Sequence, residues 1–329
     1  MPEATIRDVA REAAVSTASV SRVLNGHENV HPDTRARVLA AAGKLGYVPH
    51  AGARSLSMAR AHAIGVVLPD LHGEFFSEIV RGMDREASGR GLQLLMSTSH
   101  AEAAQATQAM RAMRGRVDGL VIMAPHLDMA PLLAGLPPVL PSVLINCRGE
   151  TADHPSFRID NAAGVEVLVR HLVSTGRRRI ALIAGPAGNL DADERLAAFR
   201  TAMRAHAGVG DPLVLPGDFS EEAGTAAARA LLEARHEIDA VFAANDVMAI
   251  GCLLALREAG VDVPGRIAVA GFDDIPVARY LSLTTMRVRI AEIGAAALAR
   301  LADLVDGERP MGGAELYAPE LVVRATTAA

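Results

Sequence analysis

Polar and aromatic side chains recur at the ends of short apolar runs along most of this chain. Asn146 follows "PSVLI", Asn245 follows "IDAVFAA" and Asp273 follows "RIAVAGF", while Arg195 and Phe219 lie in "DERLAAFR" and "PGDFS". Each of these residue types, taken alone, is more often a cap or turn residue than a ligand group. Their recurrence at one end of successive strands indicates a shared site.

A second group of chemically suited side chains lies in "TIRDVAREAAVSTASVSRVLNG", residues 5–26. Short hydroxyl and amide side chains with one arginine bury little area, but they hydrogen-bond well to phosphates and base edges. A helix-turn-helix places such a second helix in the major groove of DNA. The residues expected on the outer side of this helix are Ser16, Thr17, Ala18, Ser19, Ser21, Arg22 and Asn25.

Three short helices are predicted to carry these groups. Thr5 and Ser16 are expected to cap the first two, Pro32 suits the first turn of the third, and Gly46 ends it. Apolar residues at helical spacing predict the inner sides. These are Ile6, Val9, Ala10 and Ala13 in the first helix, Val20, Val23 and Leu24 in the second, and Val38, Leu39, Ala42 and Leu45 in the third.

From residue 63 the pattern changes to apolar runs alternating with helical segments, and it restarts after "FRIDN". Strands alternating with helices predict parallel sheets covered by helices. Two such cycles in about 260 residues predict two similar α/β subdomains. Ligands of such sheets bind at the carboxyl ends of the strands, where the polar residues named above are found.

Charge, cysteine content and hydropathy limit the kind of protein that this chain can be. Residues 1–60 carry a net charge of +3 and the whole chain −5, so the remainder carries −8, which suits a basic head that contacts a polyanion. Cys147 and Cys252 are the only cysteines and are expected to be small buried hydrophobes rather than a disulfide framework. The start lacks the features of a signal peptide and no segment reads as a membrane span, so a cytoplasmic protein is expected.

Together the head and the segment "TRARVLAAAGKLGYVPHAGARSLSMARAHAIGVVLPD" resemble the LacI/GalR family of bacterial transcription regulators. The resemblance implies that Thr17, Ala18 and Arg22 face bases. It also implies a hinge helix in "HAGARSLSM", ordered only on DNA, with Ala53 and Arg54 at the minor groove and Leu56 wedged into the central base step. The phosphate contacts that it implies are Thr5, Ser16, Ser21, Asn25 and Thr34.

The chain departs from the family pattern at a few positions. Ala14 replaces the glycine of the usual Ala-Gly-Val-Ser turn, which should cost roughly 1 kcal/mol if the residue is left-handed. His31 stands where a serine usually caps the third helix. In "LSLTTMRVR", Val288 and Arg289 stand where the family has Gln and Pro, so one polar ligand contact is expected to be lost.

The core of that family resembles periplasmic sugar-binding proteins, and this implies ligand roles for individual residues. Arg195 would clamp the ligand, Asn245 and Asn146 would contact it, Asp273 would accept its hydrogens and Phe219 would stack on it. His72 and Phe75 would form the rim. A sugar fits these groups best; a purine or nucleoside is a minority alternative, and a sugar phosphate stays open because Arg148 and Arg195 could supply two charges.

The fold expected is α/β: a three-helix helix-turn-helix head with a periplasmic-binding-protein-like core of two doubly wound parallel-sheet subdomains. The predicted boundaries are 1–49 for the head, 50–61 for the hinge and 62–329 for the core, with subdomains of about 62–159 plus 289–320 and about 160–288. The chain is expected to be a homodimer that binds palindromic double-stranded operator DNA and a small-molecule effector.

Two rival classes remain as alternatives. A nucleotide-dependent enzyme is disfavoured because the chain has no G-x-G-x-x-G after its first strand, no P-loop, no G-x-S-x-G and no H-E-x-x-H. Neither a cofactor nor a metal is expected, since no histidine pairs with cysteine or acidic residues at a metal spacing. A sugar-binding protein without a DNA-binding role is the second rival.

Overall fold

The computed structural model describes residues 4–25, 27, 29–47, 60–71, 73–134, 140–149, 154–234, 237–308 and 313–328. The chain divides into two compact units, Met1–Ala63 with Arg114–Asp118, and Ile64–Met113 with Gly119–Ala329. In the described part of the chain, no helix is long and apolar enough to cross a membrane.

The first unit contains the three expected helices, α1 (Ile6–Glu12), α2 (Thr17–Leu24) and α3 (Pro32–Leu45). Thr5 and Asp8 form a capping box at α1, in which each side chain bonds the other residue's backbone amide. Ser16 caps α2 by accepting from Ser19 N at 3.1 Å. These caps satisfy amides that helix ends otherwise leave unpaired, which lets such short helices begin where the sequence predicts.

The third helix corrects one part of the predicted core. Leu39 was expected on the inner side, but its side chain is 53% exposed, whereas Val38, Ala41 and Ala42 are buried. Val38, Ala41 and Ala42 occupy positions i, i+3 and i+4 of one helix face, whereas Leu39 lies about 100° around the helix from Val38, on the side away from Ala41. His31 does cap α3, since its Nδ1 accepts from Asp33 N at 3.4 Å.

The turn between α1 and α2 contains an alanine in a left-handed conformation. Ala14 has a φ of 49°, the region in which glycine is favoured because a Cβ clashes with the backbone. The turn is held by Arg37, whose guanidinium donates to the carbonyl oxygens of Ala13 and Ala14. The substitution at the usual glycine position is therefore accommodated with strain.

We expect Ala14→Gly to stabilise the head by up to about 1 kcal/mol, because glycine adopts this φ without the Cβ clash. Hydrogen exchange of residues 5–47 in the full-length protein should then slow by up to about fivefold. Ala40→Gly, at an exposed position inside α3, should have the opposite effect because the backbone there is helical. Equal effects of the two substitutions would contradict the strain at Ala14.

The second unit contains two six-stranded sheets. The first has the order β11-β5-β4-β3-β1-β2 and the second the order β12-β10-β9-β8-β6-β7. The first sheet consists of β1 (Ala63–Leu68), β2 (Gln93–Thr98), β3 (Gly119–Met123), β4 (Ser142–Ile145), β5 (Ser156–Ile159) and β11 (Ala314–Tyr317). The second consists of β6 (Ile180–Ile183), β7 (Val214–Leu215), β8 (Ala240–Ala243), β9 (Ala268–Asp273), β10 (Thr284–Arg287) and β12 (Glu320–Val322).

Both sheets repeat the same doubly wound order. Counted from its own first strand, each runs 2-1-3-4-5, with one strand from the end of the chain added at its edge. β3 pairs in parallel with β1 and β4, and β8 pairs in parallel with β6 and β9; β12 is antiparallel to β10. The predicted fold class is therefore confirmed.

Helices cover both sheets. They are α4 (Glu74–Gly89), α5 (Ala103–Met113), α6 (Met129–Leu133), α7 (Asn161–Ser174), α8 (Leu190–Ala202), α9 (Glu221–Glu233), α10 (Asp246–Glu258) and α11 (Ile290–Val305), with a π-helical turn at Met203–Ala207 and a 3₁₀ turn at Pro276–Arg279. α4 and α11 pack so closely that a Cβ on Gly82 would lie 1.9 Å from Ala291 O. Glycine is therefore required there by the approach of the two backbones.

We call the first sheet with α4, α5, α6 and α11 the first lobe, and the second sheet with α7, α8, α9 and α10 the second lobe. The chain passes between them at Ile159–Asn161, at Val288–Arg289 and between β11 and β12. Their interiors are mainly aliphatic, with Phe199, Phe242 and Phe272 among the largest fully buried side chains. Both cysteines are buried as expected, and burial raises the pKa of each thiol to about 12.

Candidate functional site

A cavity of about 740 Å³ lies between the two lobes. Its walls are built by segments at the carboxyl ends of β1, β2 and β3 in the first sheet and of β6, β7, β8 and β9 in the second. β1 and β3 are adjacent in the first sheet, as β6 and β8 are in the second. Within each pair, the connections to the next strands leave in opposite directions, which opens a crevice at the carboxyl ends of the pair. The repeat of one topology therefore places two such crevices face to face around a single cavity.

The lobes contact each other beside this cavity. Leu190 N, at the start of α8, donates to Pro125 O across the cleft at 2.9 Å. Asn189 Nδ2 lies 3.2 Å from a ring nitrogen of His126. On the far side, Val277 N donates to a carboxylate oxygen of Glu74 at 3.3 Å. These contacts join segments from both lobes, so a ligand in the cavity would be held by both.

Arg195 is the most constrained side chain of the cavity. It is 3% exposed, and its Nε donates to Asn161 Oδ1 at 2.8 Å. Another guanidinium nitrogen donates to Ala244 O, and the guanidinium carbon lies 3.8 Å from the centre of the Phe272 ring. A cation held over an aromatic face and fixed by two acceptors is oriented before any ligand arrives.

Asp273 is the carboxylate that faces this guanidinium. It is 5% exposed, and its Oδ1 lies 3.5 Å from a nitrogen of Arg195, but no described residue donates a hydrogen bond to that oxygen. Burial raises the pKa of Asp273 to about 7; Arg195 opposes this rise and Asp191 adds to it. The backbone there is strained, with φ of 119° at Asp273 and 55° at Asp274. A strained, buried acceptor with no described donor is a candidate binding position.

A buried polar network, which the sequence analysis did not identify, supports the arginine. Asn161 accepts from Arg195 and donates to Asp191 Oδ1 and to Glu194 Oε2, each at 2.8 Å. Asp191 also accepts from Asn146 Nδ2 at 3.2 Å. Because Asn146 follows β4 of the first lobe and Asp191 begins α8 of the second, the network crosses between the lobes. In the sequence, Asn161 directly follows "FRID" and looks like the ordinary first residue of a helix, so its place in this network leaves no local signal.

The structure brings four of the predicted effector residues to the cavity with Arg195. Phe75, Phe219, Asn245 and Asp273 all line it. Asn245 donates to Phe219 O at 3.1 Å and accepts from Met248 N at 2.9 Å, so it caps α10 while facing the cavity. Phe219 has a φ of 73°, a conformation that costs energy in a residue with a side chain.

Asn146 is placed differently from the expectation. It is 2% exposed and is not among the described lining residues, and its amide is used by Asp191 and by Ile159 N, which donates to Asn146 Oδ1 at 3.2 Å. A ligand contact from Asn146 stays a prediction. His72 lies outside the described residues.

Asp246 is bonded within the protein, behind the cavity. It is fully buried, and it accepts from Ile275 N at 2.9 Å and from Thr285 Oγ1 at 2.5 Å. Burial, and then the nearby Asp273, hold the pKa of Asp246 well above its usual value. The group therefore joins β9, β10 and α10 behind the cavity.

The head presents the predicted base-reading residues on its surface. Thr17, Ala18 and Arg22 are all exposed on α2, opposite the buried Val20 and Val23. The predicted phosphate contacts divide into Thr5 and Ser16, which are exposed caps, and Ser21, Asn25 and Thr34, which are half-buried. The predicted hinge residues Ala53, Arg54 and Leu56 lie outside the described residues. All these DNA contacts stay predictions.

Comparison with known families gives two matches along the chain. Residues 5–50, which contain the three helices of the head, match a family model described as bacterial regulatory proteins, lacI family. Residues 169–327, which contain most of the second lobe, match one described as periplasmic binding protein-like domain.

Individual relatives match over almost their whole length. The HTH-type transcriptional repressor CytR of Escherichia coli (strain K12) is 33% identical over 99% of this chain and 97% of its own length. The ribose operon repressor of the same strain is 35% identical over 90% of this chain and 91% of its own. Among solved structures, the lac repressor dimer bound to operator and the anti-inducer ONPF superposes with a TM-score of 0.88 at 30% identity, covering 99% of both chains.

Proposed function

This chain belongs to the lacI family of bacterial regulatory proteins, and from that membership we propose that it is a repressor whose hold on operator DNA responds to a sugar-like ligand. It is a sequence-specific DNA-binding transcriptional regulator. By analogy with the lac repressor dimer bound to operator, two copies would each read one half of a palindromic site. The regulated genes would belong to carbohydrate use.

The observation that carries this proposal is the outer side of α2. A helix of eight residues, capped by Ser16 and held by the buried Val20 and Val23, exposes only short polar or small groups and one arginine. Such a surface offers little apolar area to a protein partner, but its donors and acceptors suit base edges and phosphates. The net charge of +3 over residues 1–60 adds attraction to the DNA backbone.

The cavity supports an unphosphorylated polyol as the ligand. Arg195 and Asn245 supply donors, Asp273 supplies an acceptor, and Phe219 supplies a platform for the apolar face of a sugar ring. A sugar phosphate would require a second cation, yet Arg148 is not among the described lining residues; it donates to Gly188 O at 3.2 Å and pairs with Asp193. A purine or nucleoside remains the alternative ligand.

The mechanism proposed is a shift of population between two arrangements of the lobes. A ligand that contacts both lobes favours the arrangement in which both lobes reach it. It can shift the equilibrium only by the difference between its affinities for the two arrangements. The Asn146–Asp191–Asn161–Arg195 network runs from the cavity to Asn146 of the first lobe. It is the physical connection through which a ligand at Arg195 would act on the arrangement of the lobes.

The protein is proposed to act by binding alone, without catalysis. Its relatives are named as repressors, and we propose that it has no enzymatic activity and needs no cofactor. Among the described residues, no group of three or more His, Cys, Asp or Glu side chains is placed to hold a metal ion. A cytoplasmic location is the one in which a DNA-binding repressor could act.

The test of this function is Arg22→Ala. If Arg22 contacts a guanine, its loss should weaken binding to the selected operator by about 1–3 kcal/mol and reduce the preference over random DNA. Arg7→Ala is the matched control, since Arg7 is an exposed arginine of the same unit outside α2. Fluorescence anisotropy at fixed salt would measure both affinities. An unchanged ratio between operator and random DNA in Arg22→Ala would contradict the assignment.

A further inference from the structure

The charged groups that line the cavity are mostly negative. The described lining contains seven carboxylates, and Arg195 is its only arginine or lysine. The carboxylates come from both lobes and are Asp70, Glu74, Asp191, Asp218, Glu221, Glu222 and Asp273. In a cleft with low-dielectric walls, one sign of charge is focused onto the enclosed space.

The single cation does not offset this charge. Arg195 already has Asp273 Oδ1 at 3.5 Å, and its guanidinium donates to Asn161 and to Ala244 O. Two of the lining carboxylates accept hydrogen bonds from uncharged donors. Asp218 accepts from Ser220 N at 2.9 Å, and Asp191 accepts from two asparagine amides. Hydrogen bonds from neutral groups orient a carboxylate without cancelling its charge.

A second observation points to the ligand itself. Asp273 Oδ1 is fully buried, has no hydrogen-bond donor among the described residues, and belongs to a side chain that lines the cavity. Buried acceptors in folded proteins almost always have donors, so this oxygen, to which no described residue donates, is placed to accept one from a ligand in the cavity. The seven described carboxylates of the lining share one arginine, so a protonated amine would supply donors to this oxygen together with further positive charge.

We propose that the effector is a sugar-sized polyol that carries a protonated amine, with the amine bound at Asp273. Anionic ligands such as sugar phosphates are repelled by the same cavity. The inference rests on the proposed function, because it specifies the ligand of the cavity already described.

Matched ligands test this charge selectivity. Isothermal titration calorimetry of the full-length protein would compare glucose, glucosamine and glucose 6-phosphate. The corresponding neutral, amine and phosphate forms of galactose and mannose would follow. At least one amine member should bind about tenfold or more tightly than its neutral counterpart, and the phosphates should not bind. Its affinity should also fall with added salt, because screening weakens attraction between charges.

A variant separates charge from shape. Glu222→Gln removes one exposed lining carboxylate with little change in size, and it should weaken binding of the amine by about two- to fivefold more than binding of the matched neutral sugar. Glu233→Gln, at the other end of α9 and outside the described lining, is the control and should change neither. Equal effects of the two variants would contradict the role of the cavity charge.

The results of these titrations separate a failure of the amine assignment from a failure of the proposed function. Equal or tighter binding of neutral or phosphorylated members overturns the amine assignment but still shows a sugar-binding cavity. If no member binds, the amine assignment is overturned, and selection of operator DNA then decides the proposed function independently.

Discussion

Replacing Arg195 with alanine is expected to abolish the effect of the ligand on DNA binding while the protein still binds its operator. The substitution removes a side chain that is 3% exposed, stacks on Phe272 and faces Asp273 at 3.5 Å. It deletes donors to the ligand and leaves the buried carboxylate without its counter-charge. Losing charge-assisted hydrogen bonds to a buried ligand costs about 2–5 kcal/mol, which corresponds to a loss of ligand affinity of roughly thirty- to five-thousandfold.

The measurement is operator binding with and without a ligand that saturates the wild-type protein. Arg200→Ala, an exposed arginine near the end of the same helix, should keep the full response. Arg195→Lys keeps the positive charge but not the two-pronged donor geometry, so it should fold well and still lose most of the response. A normal response in Arg195→Ala, or loss of DNA binding in the folded variant, would contradict the assignment.

The second large effect concerns the pH dependence of stability. Burial raises the pKa of Asp273 to about 7 from its usual 3.8, so the unfolded chain releases this proton at lower pH than the folded protein. Between pH 4 and 7 the folded state therefore binds more protons, and the contribution of Asp273 to the free energy of unfolding falls as pH rises. A difference of about three pKa units corresponds to on the order of 4 kcal/mol.

Asp273→Asn removes this titration. The free energy of unfolding of the variant, relative to the wild type, should rise by up to about 4 kcal/mol from pH 4 to 7.5. Chemical unfolding followed by circular dichroism at several pH values would measure it, and Asp84→Asn on α4 corrects for the general effect of removing a carboxylate. A relative stability that stays constant, or that falls with pH, would show that Asp273 ionises at its ordinary pKa in the fold.

Patterns local in sequence were sufficient to predict most of the architecture. Alternating apolar runs and helical segments predicted the two sheets, and Thr5, Ser16 and Pro32 begin helices where their capping chemistry indicates. The positions after strand ends identified Asn245 and Asp273, because parallel strands bring their carboxyl ends to one edge.

The sequence could not predict which side chains meet across long separations. Asn161 contacts Arg195 across 34 positions, and Asn146 contacts Asp191 across 45, so neither pairing leaves a local pattern. The sequence gives no sign that the amide of Asn146 is bonded within the protein, and a ligand contact from this residue stays a prediction. The prediction for Leu39 is wrong for a local reason, because this apolar residue lies about 100° around the helix from the buried Val38.

The most direct test of the central claim is selection of full-length protein against a randomised DNA duplex library, with sequencing of the retained duplexes. A DNA-reading head on a two-fold symmetric dimer predicts enrichment of one inverted repeat, and Arg22→Ala should relax the sequence at symmetric positions of that repeat. The selection would be repeated with the sugar and amino-sugar panel present, because the ligand could be required for binding. Failure to enrich any sequence under both conditions would contradict the assignment of this chain as a sequence-specific repressor.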